Sequence, residues 1–331
     1  MQPTGCEKTD RDRFVAGLKE LPAHCILTEE AELRPYECDG LSAYRKVPWL
    51  VLLPETVEQV QSILAHCHRH GVPVVARGAG TGLSGGALPL ENGVLLSLSK
   101  FNRILDVDAE NRLARVQPGV RNLAVSQAVA GLGLYYAPDP SSQIACSIGG
   151  NVAENSGGVH CLKYGLTVHN IASLQIVTID GELLNIGGPA MDSAGYDLLA
   201  LMTGSEGMLG VITEVTVRLL PVPEYAQVLL AAFTSVETAG HAVAEVISAG
   251  ILPAGLEMMD QLAILLLALF QGLLHLLLCR DIERGTLHPD DRPLLVADGL
   301  HGQVVEGRNV LDGHPDDFPG SGTGLQYPLL D

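Results

Sequence analysis

A glycine-rich segment at residues 78–86 places the tightest limit on how this chain can fold. Five of its nine residues are glycine, and it closely follows the β-branched run at residues 72–76. Glycine lacks a Cβ and tolerates positive φ, so such a loop can bring its backbone N–H groups close to a ligand. N–H groups that point the same way form a binding site for an anion such as phosphate. We therefore expect a phosphate-binding loop, with Arg77 adding one positive charge at its entrance.

The same loop matches the pattern G-x-G-x-x-G at residues 80–85. The dinucleotide-binding interpretation of that pattern requires a helix directly after the loop. Here Pro89 and Gly93 oppose a helix, and residues 94–98 have the composition of a strand. We therefore predict the order strand, phosphate loop, strand. An NAD-type site and a glycine loop without a ligand are the two alternatives.

The composition limits which partners this protein can bind and where in the cell we expect it. A chain of 331 residues with 47% hydrophobic content can hold two domains. Its formal net charge of −18 argues against nucleic acid as a partner. Seven scattered cysteines without a C-x-x-C pair predict no metal site, and His66, His68 and His70 are expected to be solvated at a helix end. The charged N-terminal stretch has no apolar signal sequence, so a reducing cytoplasm is the expected location.

Local patterns predict the secondary structure on either side of the loop. A capping box at residues 56–59 and Gly71 bound a helix, and Asp180-Gly181 marks a hairpin between two strands. The other predicted elements are strands at 47–53, 105–108, 113–117, 211–219 and 225–233, and helices at 122–131 and 236–248. Pro221 and Pro223 suggest a domain boundary near residues 221–224.

Two further glycine-rich regions follow the first loop. They lie at residues 138–165 and 204–210, and in the former glycine pairs alternate with small hydroxyl and amide side chains. Such side chains can form hydrogen bonds with phosphates, a ribityl chain or the polar edge of a ring. The first two regions are about 60 residues apart, so one extended ligand such as a dinucleotide could contact both.

With these motifs assembled, the chain resembles the FAD-linked 2-hydroxyacid oxidase and dehydrogenase family, whose flavoprotein FAD domain is of the p-cresol methylhydroxylase (PCMH) or vanillyl-alcohol oxidase type. The motifs that carry the resemblance lie at residues 77–86, 138–141, 147–151, 155–165, 204–207, 210–212 and 255–260. The resemblance implies an α+β fold: a two-subdomain FAD-binding domain followed by an incomplete substrate (cap) domain. We expect FAD to be held non-covalently, because flavin-tethering relatives present a His or Cys beside the ring and the first loop has neither; His160 and Cys161 are the only nearby candidates.

The resemblance further implies the cofactor-binding residues. The pyrophosphate would be bound by Arg77, Gly78, Ala79, Gly80, Thr81, Gly82, Gly85, Gly86 and Ala87. The adenosine or ribityl portion would lie near Pro138 and Asp139. The pyrophosphate and isoalloxazine would be approached by Ser147, Gly150 and Asn151. The pocket would be completed by Gly157, Gly158 and the backbone of Ile212. No catalytic residue is assigned.

The resemblance defines four expected segments. They are an N-terminal segment at 1–46, the FAD-binding domain at 47–222, the start of the cap domain at 223–264, and a divergent tail at 265–331. The family's later metal motif, its Glu-His-Gly segment and its cationic substrate-binding residues do not occur in this sequence. We therefore expect a chain that is truncated or altered after about residue 264. An apolar helix at residues 262–279 would lead into this tail, and we expect it to be exposed, interfacial or prone to aggregation. A membrane span and a covered core helix are the alternatives. The rest of the tail would be an acidic, loop-like region.

The implied activity is oxidation of a small 2-hydroxy acid such as glycolate or lactate. Electrons would pass from the flavin to a partner subunit or a quinone, the partners being iron–sulfur and second flavin-type subunits of an oxidase complex. A peripheral position on the inner face of the membrane is the alternative to a purely cytoplasmic location. The competing interpretation is a catalytically incomplete remnant that binds flavin without turnover.

Overall fold

The structure is a computed structural model that describes residues 11–188, 190, 195–267, 269–270, 295–298, 303–306 and 325–328. It divides into two compact units. The larger unit contains Met1–Val222 and Pro253–Gly255, and the smaller contains Pro223–Leu252 and Leu256–Asp331. The division into four segments expected from the sequence stays a prediction.

The larger unit begins with a four-stranded sheet that carries the first glycine loop. Its elements are α1 (Arg11–Ala16), β1 (Ile26–Leu27), α2 (Glu30–Leu33), β2 (Leu50–Leu52), α3 (Val57–His70), β3 (Val74–Arg77) and β4 (Val94–Ser97). The strand order is β1-β2-β4-β3, in which β4 runs parallel to both β2 and β3. Because β3 and β4 are parallel neighbours, the loop between them must cross back over the sheet.

Helix α3 shows why the sequence predicted this region well. Thr56 Oγ1 accepts a hydrogen bond from Gln59 N at 3.3 Å, and Gly71 ends the helix with a φ of 62°. Its apolar face packs against the sheet in a core with Leu50, Leu52 and Phe14.

His66 is an exception to the sequence expectation. The prediction of a solvated histidine is wrong here, since His66 is only 5% exposed. Its Nε2 lies 3.0 Å from the backbone oxygen of Phe14, and its ring packs on the Phe14 ring at 4.5 Å between centroids. Burial lowers the pKa of His66, which favours the neutral imidazole. His66 therefore belongs to the core between α1 and α3.

The second part of the larger unit is an antiparallel sheet with order β5-β6-β10-β8-β9. Its elements are β5 (Ile104–Asp108), β6 (Leu113–Val116), α4 (Asn122–Val129), β7 (Leu134–Tyr135), α5 (Ile148–Glu154), α6 (Cys161–Tyr164), β8 (Ile171–Val177), β9 (Leu183–Gly187), α7 (Leu198–Met202), β10 (Val211–Arg218) and β11 (Leu220–Pro221). The expected hairpin between β8 and β9 forms, with Gly181 at a φ of 86°. One face of this sheet packs against α4 and α5 in a second core, so the unit has two subdomains of mixed helix and sheet.

The smaller unit contains β12 (Gln227–Leu230), α8 (Val236–Ser248), β13 (Leu295–Asp298), β14 (Gln303–Glu306) and β15 (Leu325–Pro328). Strand β12 pairs with β15, and β13 pairs with β14, both antiparallel. Short strands therefore lie within the region that the sequence suggested to be loop-like. Residues 261–267 and 269–270 are helical and expose apolar side chains such as Leu262 and Phe270; residues 271–279 of the expected apolar helix lie outside the described residues.

No helix in the described part of the chain combines the length and apolar character that crossing a bilayer requires.

We predict that Leu174→Ala destabilises the larger unit. Leu174 on β8 pairs with Val215 on β10, and both are buried in the second core. Removing a buried leucine side chain costs about 2 to 5 kcal/mol of unfolding free energy. The matched control Leu183→Ala, on the exposed edge strand β9, should cost less than about 1 kcal/mol. Urea denaturation measures both, and equal losses would contradict the assignment of this core.

Candidate functional site

The first glycine loop connects β3 to β4, and no helix follows it. Gly80 and Gly85 have φ of 69° and 79°, in the left-handed region that favours glycine. Within the described residues, none of the backbone N–H groups of residues 78–86 donates to a protein acceptor. The loop is half-buried or exposed, so these groups are available to an anion. The predicted order of strand, loop and strand is confirmed, and the helix that an NAD-type site requires does not follow this loop.

Arg77 lies buried against the loop, where it holds the two ends together. Its Nη1 donates hydrogen bonds to the backbone oxygens of Cys38, at 2.8 Å, and Ala87, at 3.2 Å. Its guanidinium also fills the space that a Cβ on Gly80 would need. The side chain is 9% exposed, and burial lowers the pKa of Arg77 while Asp39 partly offsets that effect. Arg77 therefore shapes the loop instead of presenting an exposed charge at its entrance.

The second glycine-rich region contains a helix, α5, that the sequence analysis missed. Ser147 caps it, its Oγ accepting from Gly150 N at 3.4 Å, and Asn155 ends it with a φ of 53°. The available signals were the Ser147 cap and the four-residue spacing of Ile148 and Val152, but the paired glycines obscured them. A Cβ on Gly149 would overlap the Pro118 ring, so a glycine is needed there for packing.

Helix α5 is the point at which the three glycine-rich regions meet. From the first loop, Gly78 lies against Ser147 so closely that a Cβ would overlap its Oγ. From the third, Gly204 N donates to Val152 O at 2.8 Å, and Glu206 N donates to Ala153 O at the same distance. The structure thus brings Gly78 of the first loop together with Ser147 and Gly150, all three of them predicted site residues.

Acidic side chains line the first loop on the α5 side. A Cβ on Gly82 would overlap the Glu154 carboxylate, and a Cβ on Gly86 would lie 2.8 Å from Glu206 Oε2. Burial raises the pKa of Glu154, and the charges of Glu206 and Asp39 raise it further. The carboxylate of Glu154 accepts no hydrogen bond from the described residues.

Two buried polar atoms near these segments have no hydrogen-bond partner within the described residues. They are Nδ2 of Asn151, whose side chain is 3% exposed, and Oδ2 of Asp39, whose side chain is 6% exposed. Asn151 lies in the first turn of α5, beside Gly150. A buried donor without an acceptor costs about 1 to 3 kcal/mol, which a ligand that supplies an acceptor would recover.

A second group of predicted residues is held together by Asp139. Its Oδ2 lies 2.5 Å from His160 Nδ1, and its Oδ1 accepts from His160 N at 3.3 Å. Gly158 packs against the Asp139 backbone, where a Cβ would lie 2.6 Å from the carbonyl oxygen. Pro138 O accepts from Asn122 Nδ2 at 3.0 Å. Asp139 therefore fixes the segment around Gly158 and His160.

Two further predicted site residues, Gly157 and Ile212, lie in different surroundings. A Cβ on Gly157 would lie 2.9 Å from Leu166 Cδ2. Ile212 is buried in the second core on β10, where it pairs with Ile176, and the register shifts between Ile212 and Glu214. Ile212 shares this core with Ile148 and Val152 of α5. Its role at the pocket stays a prediction.

One cluster in the described residues has the side chains of a metal site. Donor atoms of His24, Cys25 and Glu55 lie within 4.8 Å of one another. Lys100 Nζ lies 3.0 Å from Glu55 Oε1 and balances its charge. Burial raises the pKa of the Cys25 thiol, which opposes the thiolate that a metal needs. We therefore interpret the group as a surface ion pair beside a core cysteine.

The site fits a bound dinucleotide in three respects. The first loop offers backbone N–H groups without acceptors. Its glycines let it approach Ser147 and Glu154 where a Cβ would overlap their side chains, and Asn151 holds a buried amide without a partner in the described residues. The arrangement suits a ligand that carries a diphosphate and polar groups on both sides of it.

Comparison with protein families identifies the same regions. The family model described as FAD binding domain matches residues 48–187, and that described as FAD linked oxidases, C-terminal domain, matches residues 222–296. The second match extends beyond residue 264, where the recognised motifs end. The FAD cofactor expected from the motifs is thereby confirmed.

Similar proteins include the glycolate oxidase subunit GlcD of Escherichia coli (strain K12), which is 67% identical over 256 residues, 77% of this chain and 51% of that protein. GlcD of Bacillus subtilis (strain 168) is 44% identical over 233 residues, which are 70% of this chain and 50% of that protein. A D-lactate dehydrogenase of Archaeoglobus fulgidus is 42% identical over 217 residues, 65% and 48% of the two chains. This chain therefore spans about half the length of these relatives.

Among solved structures, an alkyldihydroxyacetonephosphate synthase superposes with a TM-score of 0.65 at 24% identity, over 74% of this chain and 47% of that one. This likeness concerns the fold alone, and it agrees with the predicted α+β, PCMH-type architecture. Together, the two family matches and the relatives show that this chain belongs to the FAD-linked oxidases, with their FAD-binding domain and a match to their C-terminal domain.

Proposed function

We propose that this chain is the FAD-binding part of an enzyme that oxidises a small 2-hydroxy acid of the glycolate or lactate type. The observation that carries the proposal is the meeting of three glycine-rich regions around α5, beside backbone N–H groups without acceptors. The names of the relatives, a glycolate oxidase subunit and a D-lactate dehydrogenase, support this class of substrate.

The residues of the chain would bind and orient the cofactor. N–H groups of residues 78–86 would donate to the diphosphate, and Asn151 Nδ2 would donate to a nearby acceptor. Asp139 would keep the Gly158 segment in place through its contacts with His160. FAD, when bound, supplies the redox chemistry by accepting two electrons from the substrate.

We further propose that electrons leave through a partner subunit of a glycolate oxidase complex, of iron–sulfur or second flavin type, or through a quinone. The relatives named as subunits support an assembly with other chains. A cytoplasmic location, with or without peripheral association with the membrane, stays a prediction.

The second candidate function is a flavin-binding chain without turnover. The observation that favours it is the sequence, which lacks the motifs expected to bind a metal and the substrate carboxylate. Oxidation of a 2-hydroxy acid needs a group that accepts the hydroxyl proton and a site that fixes the carboxylate. The two candidates predict the same FAD site and differ only in reaction with substrate.

We predict that Gly82→Asp weakens FAD binding by about five- to a thousandfold. The new carboxylate would stand beside Glu154, and its repulsion of a phosphate about 4 Å away is about 1 to 4 kcal/mol. Gly131→Asp is the matched control, because a Cβ there meets nothing within 4 Å. Quenching of FAD fluorescence measures both affinities. Equal affinity in the two variants would mean that the loop does not bind the diphosphate.

We predict that FAD is bound without a covalent link. The first loop has no His or Cys that could attach the flavin, and His160 and Cys161 are the nearby candidates. His160 Nδ1 is engaged by Asp139, Cys161 is half-buried, and Cys146 is buried. Acid precipitation of the loaded protein should therefore release the flavin into the supernatant. If flavin stays on the denatured chain, the variants His160→Gln, Cys146→Ser and Cys161→Ser will identify the attachment site, and the prediction is wrong.

We predict that this chain alone, loaded with FAD, reacts poorly with 2-hydroxy acids. Anaerobic stopped-flow mixing with glycolate or D-lactate should leave the flavin absorbance unchanged over minutes, because no motif for the substrate carboxylate is present in the sequence. Dithionite is the control that shows the flavin can be reduced. Rapid bleaching by either acid would favour the complete enzyme over the second candidate function.

A further inference from the structure

The charged side chains around the first glycine loop are mostly negative, which is unfavourable for binding an anion. Three carboxylates act on this region. Glu154 and Glu206 lie against the loop glycines Gly82 and Gly86. The charge of Asp39, which precedes the loop, acts on both Arg77 and Glu154. The adjoining cation, Arg77, is buried and bonded to the loop ends. A diphosphate bound by the loop would therefore meet more negative than positive charge.

Glu154 is the carboxylate best placed to change this balance. It projects from α5 onto Gly82, in contact with the middle of the loop. It accepts no hydrogen bond from the described residues, unlike Asp39, whose Oδ1 accepts from Leu41 N at 2.9 Å. The charged groups that act on it are Glu206 of the third glycine turn and Asp39 of the segment before the loop, and both are negative.

A proton on Glu154 would reduce this repulsion. The neutral carboxyl group has one O–H donor, which could bond to a phosphate oxygen, whereas the carboxylate can only repel it. Burial and the two neighbouring acids already raise the pKa of Glu154 before any ligand binds. A bound dianion adds a further negative charge and raises that pKa again.

We propose that Glu154 takes up a proton when FAD binds, so that this carboxyl group serves as a hydrogen-bond donor to the cofactor. The inference rests on the proposed FAD site and adds a proton to the binding equilibrium. A group whose pKa is higher in the complex than in the free protein binds a proton together with the ligand, so affinity falls as the pH rises. The fall is limited to tenfold per pH unit, because one proton is involved.

The test is the dissociation constant of FAD from the apoprotein, measured by fluorescence quenching from about pH 5.5 to about pH 8.5. The diphosphate diester of FAD keeps its charge across this range. The wild-type dissociation constant should rise with pH, by up to about tenfold per unit above the pKa of free Glu154. Glu154→Gln mimics the protonated form, so its affinity should be higher than that of the wild type at the upper pH and nearly independent of pH.

Glu110→Gln is the matched control, because it makes the same change in net charge at the exposed turn between β5 and β6; it should keep the wild-type pH profile. Circular dichroism checks that each variant is folded. A wild-type affinity without pH dependence, or an unchanged slope in Glu154→Gln, would overturn the role of Glu154 while leaving the FAD site in place. Weaker binding by a folded Glu154→Gln at every pH would show that the carboxylate accepts a hydrogen bond, and would also overturn it. Failure of all variants, including the wild type, to bind FAD would overturn the proposed site itself.

Discussion

The close approach of glycine backbone to α5 is the constraint on which the site depends. Gly78, Gly82 and Gly86 each face a side chain of the α5 region or of the third glycine turn, and a Cβ at any of them would need the space those side chains occupy. The third glycine turn is fixed to the same helix by backbone hydrogen bonds from Gly204 and Glu206. The first glycine loop and the third glycine turn, more than a hundred residues apart in the sequence, therefore both pack against the short helix α5.

This arrangement explains which parts of the fold the sequence could predict. Local signals were sufficient where structure is determined by neighbours in the chain. Helix α3 follows from its Thr56 cap and Gly71 stop, and the hairpin between β8 and β9 follows from Asp180-Gly181. The first loop was predicted between two strands because Pro89 and Gly93 exclude a helix there. In each case, the residues that decide the structure lie within a few positions of it.

The features that were missed depend on contacts between distant segments. Paired glycines lower helix propensity, so α5 did not stand out, and its packing against Pro118 and the first loop is what favours the helix. Arg77 was expected to add a positive charge at the loop entrance, but acceptors at Cys38 and Ala87 hold it in a buried position. His66 was expected to be solvated because it lies near a helix end. Phe14 of α1, about fifty residues earlier in the chain, covers it instead.

The electrostatics of the site follow from the burial of Arg77. Since its hydrogen bonds close the loop, the anion must be bound by backbone N–H dipoles and neutral donors, which carry no net charge. The nearby carboxylates of Glu154, Glu206 and Asp39 then oppose every negative charge that enters. Each phosphate of a diphosphate diester carries a single charge, whereas a terminal phosphate carries up to two near neutral pH. The same carboxylates would repel the terminal phosphate more strongly, so a loop of this kind suits an internal diphosphate, and the proposed proton on Glu154 would remove one of these repulsions.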